Sequence, residues 1–145
     1  MNDLTAIYLT ANLIPENFAN YQRKILQDSL GGAPIVSVSR KPLKFGKNLL
    51  DNGPKSTDNI YRQMLRAAKV ASTPYVAVAE DDVLYNQDHF IFFRPPVDTF
   101  AYNQNRLALF MWSKPQFNWR NRKSNCSLIA SRSLMIESLE ERFSR

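Results

Sequence analysis

Apolar residues along the chain follow two different spacings, and each spacing predicts a different element. Short apolar or alternating runs rich in β-branched residues lie at 6–10, 35–39 and 75–79 and predict strands. Between these runs, apolar residues recur every three or four positions, which predicts helices. The order β-α-β-α-β predicts an α/β fold in which helices flank a mostly parallel central sheet.

The first predicted helix follows Pro15, a residue that suits the first helical turn, and the glycine pair at 31–32 ends it. Phe18, Tyr21 and Ile25 recur at helical spacing and are its predicted buried face.

The stretch at 40–55 contains two prolines and two glycines and has no clear period, so it predicts a loop. A loop of this length in a compact domain is usually functional or mobile. Ser56 or Thr57 is predicted to cap a second helix, which ends at the Thr-Pro pair 73–74. Its predicted buried face consists of Ile60, Met64, Ala68 and Ala71.

Beyond residue 88 the pattern is less regular. Strands are predicted at 89–93, 106–112 and 127–130, and a helix at 132–143 closes the chain. We therefore expect a mixed sheet in the C-terminal part.

Length and composition favour one globular domain over residues 1–145. The longest apolar runs, such as 107–112, are too short to span a bilayer, and the first residues lack the pattern of a signal peptide. Cys126 is the only cysteine, so an internal disulfide is excluded and a cytoplasmic location is expected.

Charge is distributed unevenly along the chain, whose net charge is +6. Basic residues concentrate at 40–69 and beyond 114, and the acidic group at 80–88 lies between these two segments. A basic surface around an acidic centre suits a polyanionic ligand that carries its own metal, or a nucleic acid. Solvated surface charge is the alternative.

The acidic group Glu80-Asp81-Asp82 directly follows the third predicted strand. Like charges this close repel each other, and a hard divalent cation such as Mg²⁺ or Mn²⁺ relieves that repulsion. Ligands of parallel α/β sheets bind at the carboxyl ends of the strands, where this group lies. An acidic turn that caps neighbouring amides is the alternative interpretation.

Four segments together resemble a known family: the strand end at 9–12, the segment 39–41, the helix start at 59–63 and the acidic segment at 79–85. In this arrangement the first ninety residues resemble the nucleotide-sugar-binding half of the Rossmann-like GT-A glycosyltransferase fold. The resemblance implies a nucleotide-sugar-binding half at 1–88 and an acceptor-side half at 89–145. A glutamate at the first acidic position and the short chain depart from the family's pattern.

The resemblance also implies site residues. Asp82 corresponds to the ligand of a Mn²⁺ or Mg²⁺ ion, Glu80 to a nucleoside contact, and Asp81 to a supporting acid near the sugar. The residues that would line the base pocket are Thr10, Ala11 and Asn12. Those that would meet phosphate, ribose or sugar hydroxyls are Ser39, Arg40, Lys41, Asn59, Arg62 and Gln63.

Other candidate residues lie in the C-terminal part. Asp98 or Glu137 could serve as a carboxylate base, although a capping residue and a solvated helix residue are the alternatives. His89, the sole histidine, is expected to pack or cap rather than bind metal. Aromatic residues at 112, 117 and 119 alternate with cations, which suits either stacking on a sugar or base, or core packing.

These features lead to a metal-dependent glycosyltransferase that uses a UDP-sugar donor. The basic C-terminal third and the compact size favour a hydroxymethylpyrimidine in DNA as acceptor, as in phage-encoded enzymes. A surface glycan or a small molecule is the alternative acceptor. A non-catalytic nucleic-acid-binding module and a metal-dependent nucleotidyltransferase or phosphatase are the competing functions.

Overall fold

The structure is a computed structural model that describes residues 3–110, 112 and 114–145. Its strands are β1 Leu4–Leu9, β2 Ile35–Ser39, β3 Lys47–Leu50, β4 Tyr75–Glu80, β5 Ala101–Tyr102, β6 Leu107–Phe110, β7 Gln116–Trp119 and β8 Leu128–Ser131. Its helices are α1 Glu16–Leu30, α2 Thr57–Val70, α3 Gln87–Ile91 and α4 Arg132–Ser144, and a 3₁₀ turn covers Asn125–Ser127.

Six strands form one sheet in the order β3-β2-β1-β4-β8-β5. Strands β1 to β4 are parallel to one another, and β8 runs antiparallel to both β4 and β5. The predicted α/β fold with a mostly parallel, mixed sheet and flanking helices is therefore confirmed. Since the sheet takes strands from both sides of residue 88, the proposed division into two functional halves stays a prediction.

The core has one layer on each face of this sheet, because side chains alternate along a strand. From β1, Ile7 and Leu9 pack with α2 and α4 on one face. Leu4, Ala6 and Tyr8 pack on the other face, against α1 and α3. Every β1 residue is buried, which makes β1 and its neighbour β4 the centre of the molecule.

The buried face of α1 differs from the predicted one. Phe18 is 38% exposed and Tyr21 is 55% exposed. The helix instead buries Ala19, Gln22, Leu26, Ser29 and Leu30. The apolar spacing does not predict this face because it includes the polar residue Gln22. The side-chain amide of Gln22 can be buried since it donates to the backbone carbonyls of residues 80 and 83.

Other predicted elements also changed. The predicted loop at 40–55 contains the edge strand β3, and the predicted strand at 89–93 is the short helix α3. Asn86 caps α3 by accepting a hydrogen bond from the His89 amide, a polar capping signal that the apolar pattern does not carry. In α2, Met64 and Ala68 are buried as predicted, whereas Ile60 is exposed.

Strands β6 and β7 form a separate antiparallel hairpin outside the main sheet. The predicted strand at 106–112 corresponds to β6, and β7 was not predicted. Among the described residues, no helix has both the length and the apolarity that crossing a bilayer requires.

Candidate functional site

The carboxyl edge of the parallel strands holds the acidic turn. Glu80 is the last residue of β4, and Asp81 and Asp82 follow it in a turn that the Val83 amide closes onto the Glu80 carbonyl at 3.4 Å. The side chain of Asp82 is exposed, whereas those of Glu80 and Asp81 are half-buried. The carboxylates predicted to form the site therefore differ in their access to solvent.

Thr10 ties the end of β1 to this turn. Its hydroxyl donates to Oδ2 of Asp81 at 2.6 Å and accepts a hydrogen bond from the Asn12 amide at 3.0 Å. Burial raises the pKa of Asp81, while the Thr10 hydrogen bond acts to lower it and Asp82 raises it further. The structure thus brings the candidate residues Thr10 and Asp81 into contact, while their predicted roles in binding base and sugar stay untested.

Asn12 joins the ends of β1 and β2. Its Oδ1 accepts the backbone amides of Arg40 at 2.9 Å and Lys41 at 3.0 Å, and its own φ is 55°. Left-handed backbone is tolerated by asparagine better than by most residues. Its neighbour Ala11 is exposed at the same edge. The predicted base-pocket residues and the two basic residues therefore share one edge, although the Asn12 oxygen is already engaged.

Glu80 has the largest perturbation of the three acids. Burial and, to a lesser extent, the nearby charges of Asp82 and Asp81 raise its pKa to about 7, while the charge of Arg106 acts in the opposite direction. The backbone amide of Glu80 donates to the Tyr85 hydroxyl, which donates in turn to the Cys126 carbonyl at 2.6 Å. This chain of hydrogen bonds fixes the acidic turn onto the segment that precedes β8.

Arg106 is a site residue that the sequence did not reveal. Its guanidinium donates from Nη1 to Sγ of Cys126 at 3.0 Å and from Nη2 to the Arg122 carbonyl at 3.1 Å. Its Nε is buried and has no hydrogen-bond partner among the described residues. In the sequence it is a single basic residue before an apolar run, and only the return of the chain beside β4 brings its charge to Glu80.

The predicted contacts on α2 surround another acid. Asp51, which follows β3, is buried and accepts from Asn59 Nδ2 at 2.9 Å, Gln63 Nε2 at 2.7 Å and Arg66 Nη1 at 3.2 Å. Burial raises the pKa of Asp51, but hydrogen bonds from Gln63 and Asn59 and the charge of Arg40 together hold it below its usual value. Asp51 was not among the predicted site residues.

Distance along the sheet separates this Asp51 cluster from the acidic turn. Three strand spacings lie between β3 and β4, which is about 14 Å. Arg62 faces elsewhere: it pairs with Asp58 at 3.6 Å and lies 4.0 Å from the ring centroid of Phe143 in α4. Ligand contacts by Asn59, Arg62 and Gln63 therefore stay a prediction, and the structure gives each of these side chains another partner.

Ser39 and its neighbours close the end of β2. The Ser39 hydroxyl donates to the Lys41 carbonyl at 2.6 Å and accepts from Asn48 Nδ2 at 2.9 Å. Lys41 is exposed, and Nε of Arg40 is buried with no hydrogen-bond partner in the part of the chain that the structure describes. Lys41 is therefore open to solvent near the edge, Arg40 is partly buried, and Ser39 stabilises the loop.

Asp98 lies near the opposite end of the parallel strands, where β4 begins. Ser131 pairs with Tyr75 at the start of β4, and its hydroxyl donates to the carbonyl of Val97 at 2.6 Å. Tyr75 and Glu80 are the first and last residues of β4, so five residue steps separate them, a span of about 17 Å. The two acids assigned to catalysis, Asp81 and Asp98, are therefore not brought together.

The His89 ring packs against neighbouring aromatic side chains. Its ring lies 5.3 Å from that of Tyr85, and Asn103 donates to its Nδ1 at 3.1 Å. Burial lowers the pKa of His89 to about 4, so the ring is neutral at physiological pH. This geometry agrees with the expected packing role.

The acidic turn alone does not form a complete metal site. Within residues 3–110, 112 and 114–145, no three or more histidine, cysteine, aspartate or glutamate side chains are grouped so that they could hold an ion. The assignment of Asp82 to Mn²⁺ or Mg²⁺ stays a prediction, and it requires further oxygen ligands from phosphate or water.

The strand order and directions place the protein in the class of α/β folds with a mostly parallel, mixed sheet. No protein-family model matches the sequence, and no curated protein matches it. Among solved structures, it is similar to the bifunctional IspDF from Campylobacter jejuni, with a TM-score of 0.63 and 15% identity. The match covers 97% of this chain and 44% of the other, so this chain spans less than half of that protein.

This likeness overturns the glycosyltransferase assignment. The neighbour has a nucleotidyltransferase fold, so the predicted GT-A family and the predicted sugar transfer to DNA are wrong. Neither manganese binding nor phage DNA modification gains support. The physical reason is that carboxylates at a strand end indicate a site for cations and phosphates, but they do not indicate which bond is broken there.

Proposed function

We propose that the chain binds a nucleoside triphosphate at the carboxyl edge of its sheet and transfers the nucleotidyl group to an acceptor oxygen. The observation that carries the proposal is the joining of three strand ends at one edge. Thr10 binds Asp81 at 2.6 Å, and Asn12 binds the amides of Arg40 and Lys41. The fold likeness to IspDF supports a nucleotidyltransferase over a sugar transferase.

The charges around this edge suit the reaction. The acceptor oxygen would attack the α-phosphorus, a new P–O bond would form, and the bond to the departing pyrophosphate would break. Negative charge then grows on the pyrophosphate, and fixed cations stabilise it in the transition state. Arg40 and Lys41 lie beside the β1 end, and Arg106 lies near Glu80.

A divalent cation belongs to this proposal as a companion of the nucleotide. It would neutralise the phosphates and would accept the exposed carboxylate of Asp82 as one ligand. Since the described carboxylates do not form a complete site, we expect the ion to bind weakly without nucleotide.

Two further parts of the proposal concern the protein's surroundings. A cytoplasmic location, favoured by the single cysteine, is proposed for the enzyme. DNA as a partner stays a prediction, which can be tested by adding duplex DNA to the binding assay below and measuring the salt dependence.

The test is calorimetric titration with CTP, UTP, ATP and GTP, each with and without Mg²⁺. We expect one nucleotide to bind in the presence of Mg²⁺ and Asp82→Asn to weaken that binding at least tenfold. Asp98→Asn is the matched control, because Asp98 is an exposed aspartate near the opposite end of the strands. Release of pyrophosphate in the presence of candidate acceptors then measures the transfer.

Two results would contradict the proposal. If no nucleotide binds to the folded protein, the edge is not a nucleotide site. If Asp82→Asn and Asp98→Asn bind as tightly as the unmodified chain, a nucleotide that does bind lies elsewhere.

A further inference from the structure

The β6–β7 hairpin has one exposed apolar face. The register places Leu107 opposite Trp119 and Leu109 opposite Phe117, and residues directly opposite each other share a face. These four side chains are 60%, 58%, 51% and 70% exposed, respectively. Isolated exposed apolar residues are ordinary on protein surfaces, but a contiguous group of four indicates an interaction site.

The other face of the hairpin has contacts within the chain. Ala108 and Phe110 are half-buried there, and the guanidinium of Arg120 lies 5.6 Å from the Phe110 ring centroid. The Arg120 amide also donates to the Arg106 carbonyl at 2.9 Å. One face of the hairpin therefore has contacts within the hairpin itself, while its apolar face points outward.

The segment that contains the hairpin is rich in basic residues and has no acidic residue of its own. The sequence from 99 to 136 contains no aspartate or glutamate, and its basic residues are Arg106, Lys114, Arg120, Arg122, Lys123 and Arg132. None of them belongs to an ion pair formed by the described residues. The exposed Arg122 and Lys123, which follow β7, therefore favour an anionic partner that also accepts apolar side chains.

Charge and side-chain type select among possible partners. A second copy of the chain would bring the same positive charge against this surface and would be repelled. A single-stranded nucleic acid would stack on Phe117 and Trp119, but Leu107 and Leu109 have no ring on which a base can stack. A bilayer with anionic lipids accommodates leucine, phenylalanine and tryptophan at its interface and attracts the cations to its headgroups.

We propose that the β6–β7 hairpin is a docking arm for anionic membrane surfaces. The apolar face enters the interfacial region, and Arg122 and Lys123 meet the lipid phosphates. This inference concerns a surface distinct from the acidic turn and does not depend on the reaction proposed for that turn.

The two tryptophans of the chain make the test direct. Trp112 and Trp119 are the only ones, and they are 81% and 58% exposed. Their emission can be recorded while the full chain is titrated with vesicles of phosphatidylcholine alone or of phosphatidylcholine with 30% phosphatidylglycerol, about a third of the lipid, as an anionic surface. We expect a blue shift and cosedimentation with the anionic vesicles only.

Matched variants separate the apolar and charged contributions. Leu109→Ser with Phe117→Ser should abolish the blue shift and reduce binding more than tenfold. Gln116→Ser with Asn118→Ser, on the opposite face, should bind like the unmodified chain. Arg122→Gln with Lys123→Gln should weaken binding by about fivefold per charge. Thermal unfolding followed by circular dichroism checks that each variant is folded.

Several outcomes would overturn the proposal. One is no binding to anionic vesicles by the folded chain, and another is equal binding by the two double-serine variants. Binding to a single-stranded oligonucleotide without vesicle binding would assign the surface to nucleic acid. A concentration-dependent dimer that the Leu109→Ser and Phe117→Ser changes dissolve, again without vesicle binding, would assign it to self-association.

Discussion

A single threonine hydroxyl organises the end of β1. Thr10 donates to Asp81 and accepts from the Asn12 amide, so that one short side chain links two strand ends. Asn12 continues the link to the amides of Arg40 and Lys41. At this scale, polar residues at the sheet edge position one another, and the acidic turn is held in place before any ligand arrives.

The pH dependence of stability should reflect His89. Burial lowers its pKa to about 4, against about 6.5 in an unfolded chain, so the unfolded state takes up the proton first as pH falls. The stabilising effect of the neutral ring is therefore complete above pH 6.5 and is lost between pH 6.5 and 4, by on the order of 2–3 kcal/mol. The raised pKa of Glu80 acts in the opposite direction over this range, so the loss is measured as the difference in urea unfolding free energy between the unmodified chain and His89→Gln.

The sole histidine also gives a clean readout of that pKa. Its Cε1 proton is a single resonance in the NMR spectrum, and we expect its titration midpoint near pH 4 in the folded protein. Relative to the unmodified chain, His89→Gln should gain stability as pH falls from 6.5 to 4, because only the unmodified chain loses the contribution of the neutral ring. A folded-state midpoint near 6.5 would show that the ring is solvated and would contradict the packing role.

At the scale of elements, backbone conformation and close contacts decide what the apolar spacing does not. The chain turns from β2 into β3 at Gly46, whose φ is +63°. An added Cβ there would lie 2.2 Å from the carbonyl oxygen of Ile35, which is backbone and cannot move aside easily. The edge strand β3 therefore depends on a residue without a side chain at this position.

Substitution of this glycine tests the contact. Gly46→Ala should destabilise the protein by about 3 kcal/mol or more, because it adds a steric clash to the cost of the left-handed backbone. Gly32→Ala is the matched control: its φ is +90°, but an added Cβ meets nothing within 4 Å. It should cost about 1 kcal/mol in urea unfolding. Equal losses for the two variants would show that the Ile35 contact is not limiting.

Helix α1 shows how a polar residue can conceal an element's orientation. Apolar spacing selected Phe18 and Tyr21, yet the helix turns Gln22 and Leu26 towards the sheet. The Gln22 amide is buried because carbonyls of the β4 turn accept its hydrogens. The same contact connects α1 to the acidic turn, so Gln22 helps to hold the candidate site in place.

On the scale of the whole molecule, burial predicts a gradient of local stability. All residues of β1 are buried between β2 and β4, whereas all four residues of β7 are exposed. Opening β1 requires disrupting the core, but the hairpin can separate while the core stays intact.

Hydrogen exchange measures this gradient. We expect amides of β1 and β4 to exchange at least 100-fold more slowly than those of β6 and β7, by NMR or mass spectrometry under native conditions. Bound anionic vesicles should slow exchange in the hairpin and leave β1 unchanged. Equal protection of hairpin and central strands would mean that the hairpin unfolds only with the core.

The sequence by itself determined the β-α-β-α-β order and the position of the acidic turn. Strand and helix periods follow local spacing, and the carboxyl ends of parallel strands necessarily share an edge. From these regularities Thr10, Asn12, Arg40 and Asp81 could be placed near one another. The sequence did not predict helix α3, because its signal is a single capping residue. It did not predict strands β3 and β7, because they are short and largely exposed.

Only the tertiary structure decided which of the candidate residues meet. Asp98 lies near the opposite end of the strands. Asn59 and Gln63 donate hydrogen bonds to Asp51, and Arg106 lies near Glu80. These relations join residues distant in sequence, and no local period encodes them. The sequence could therefore locate the edge at which polar and charged residues gather, while the tertiary structure determined which of those residues contact one another there.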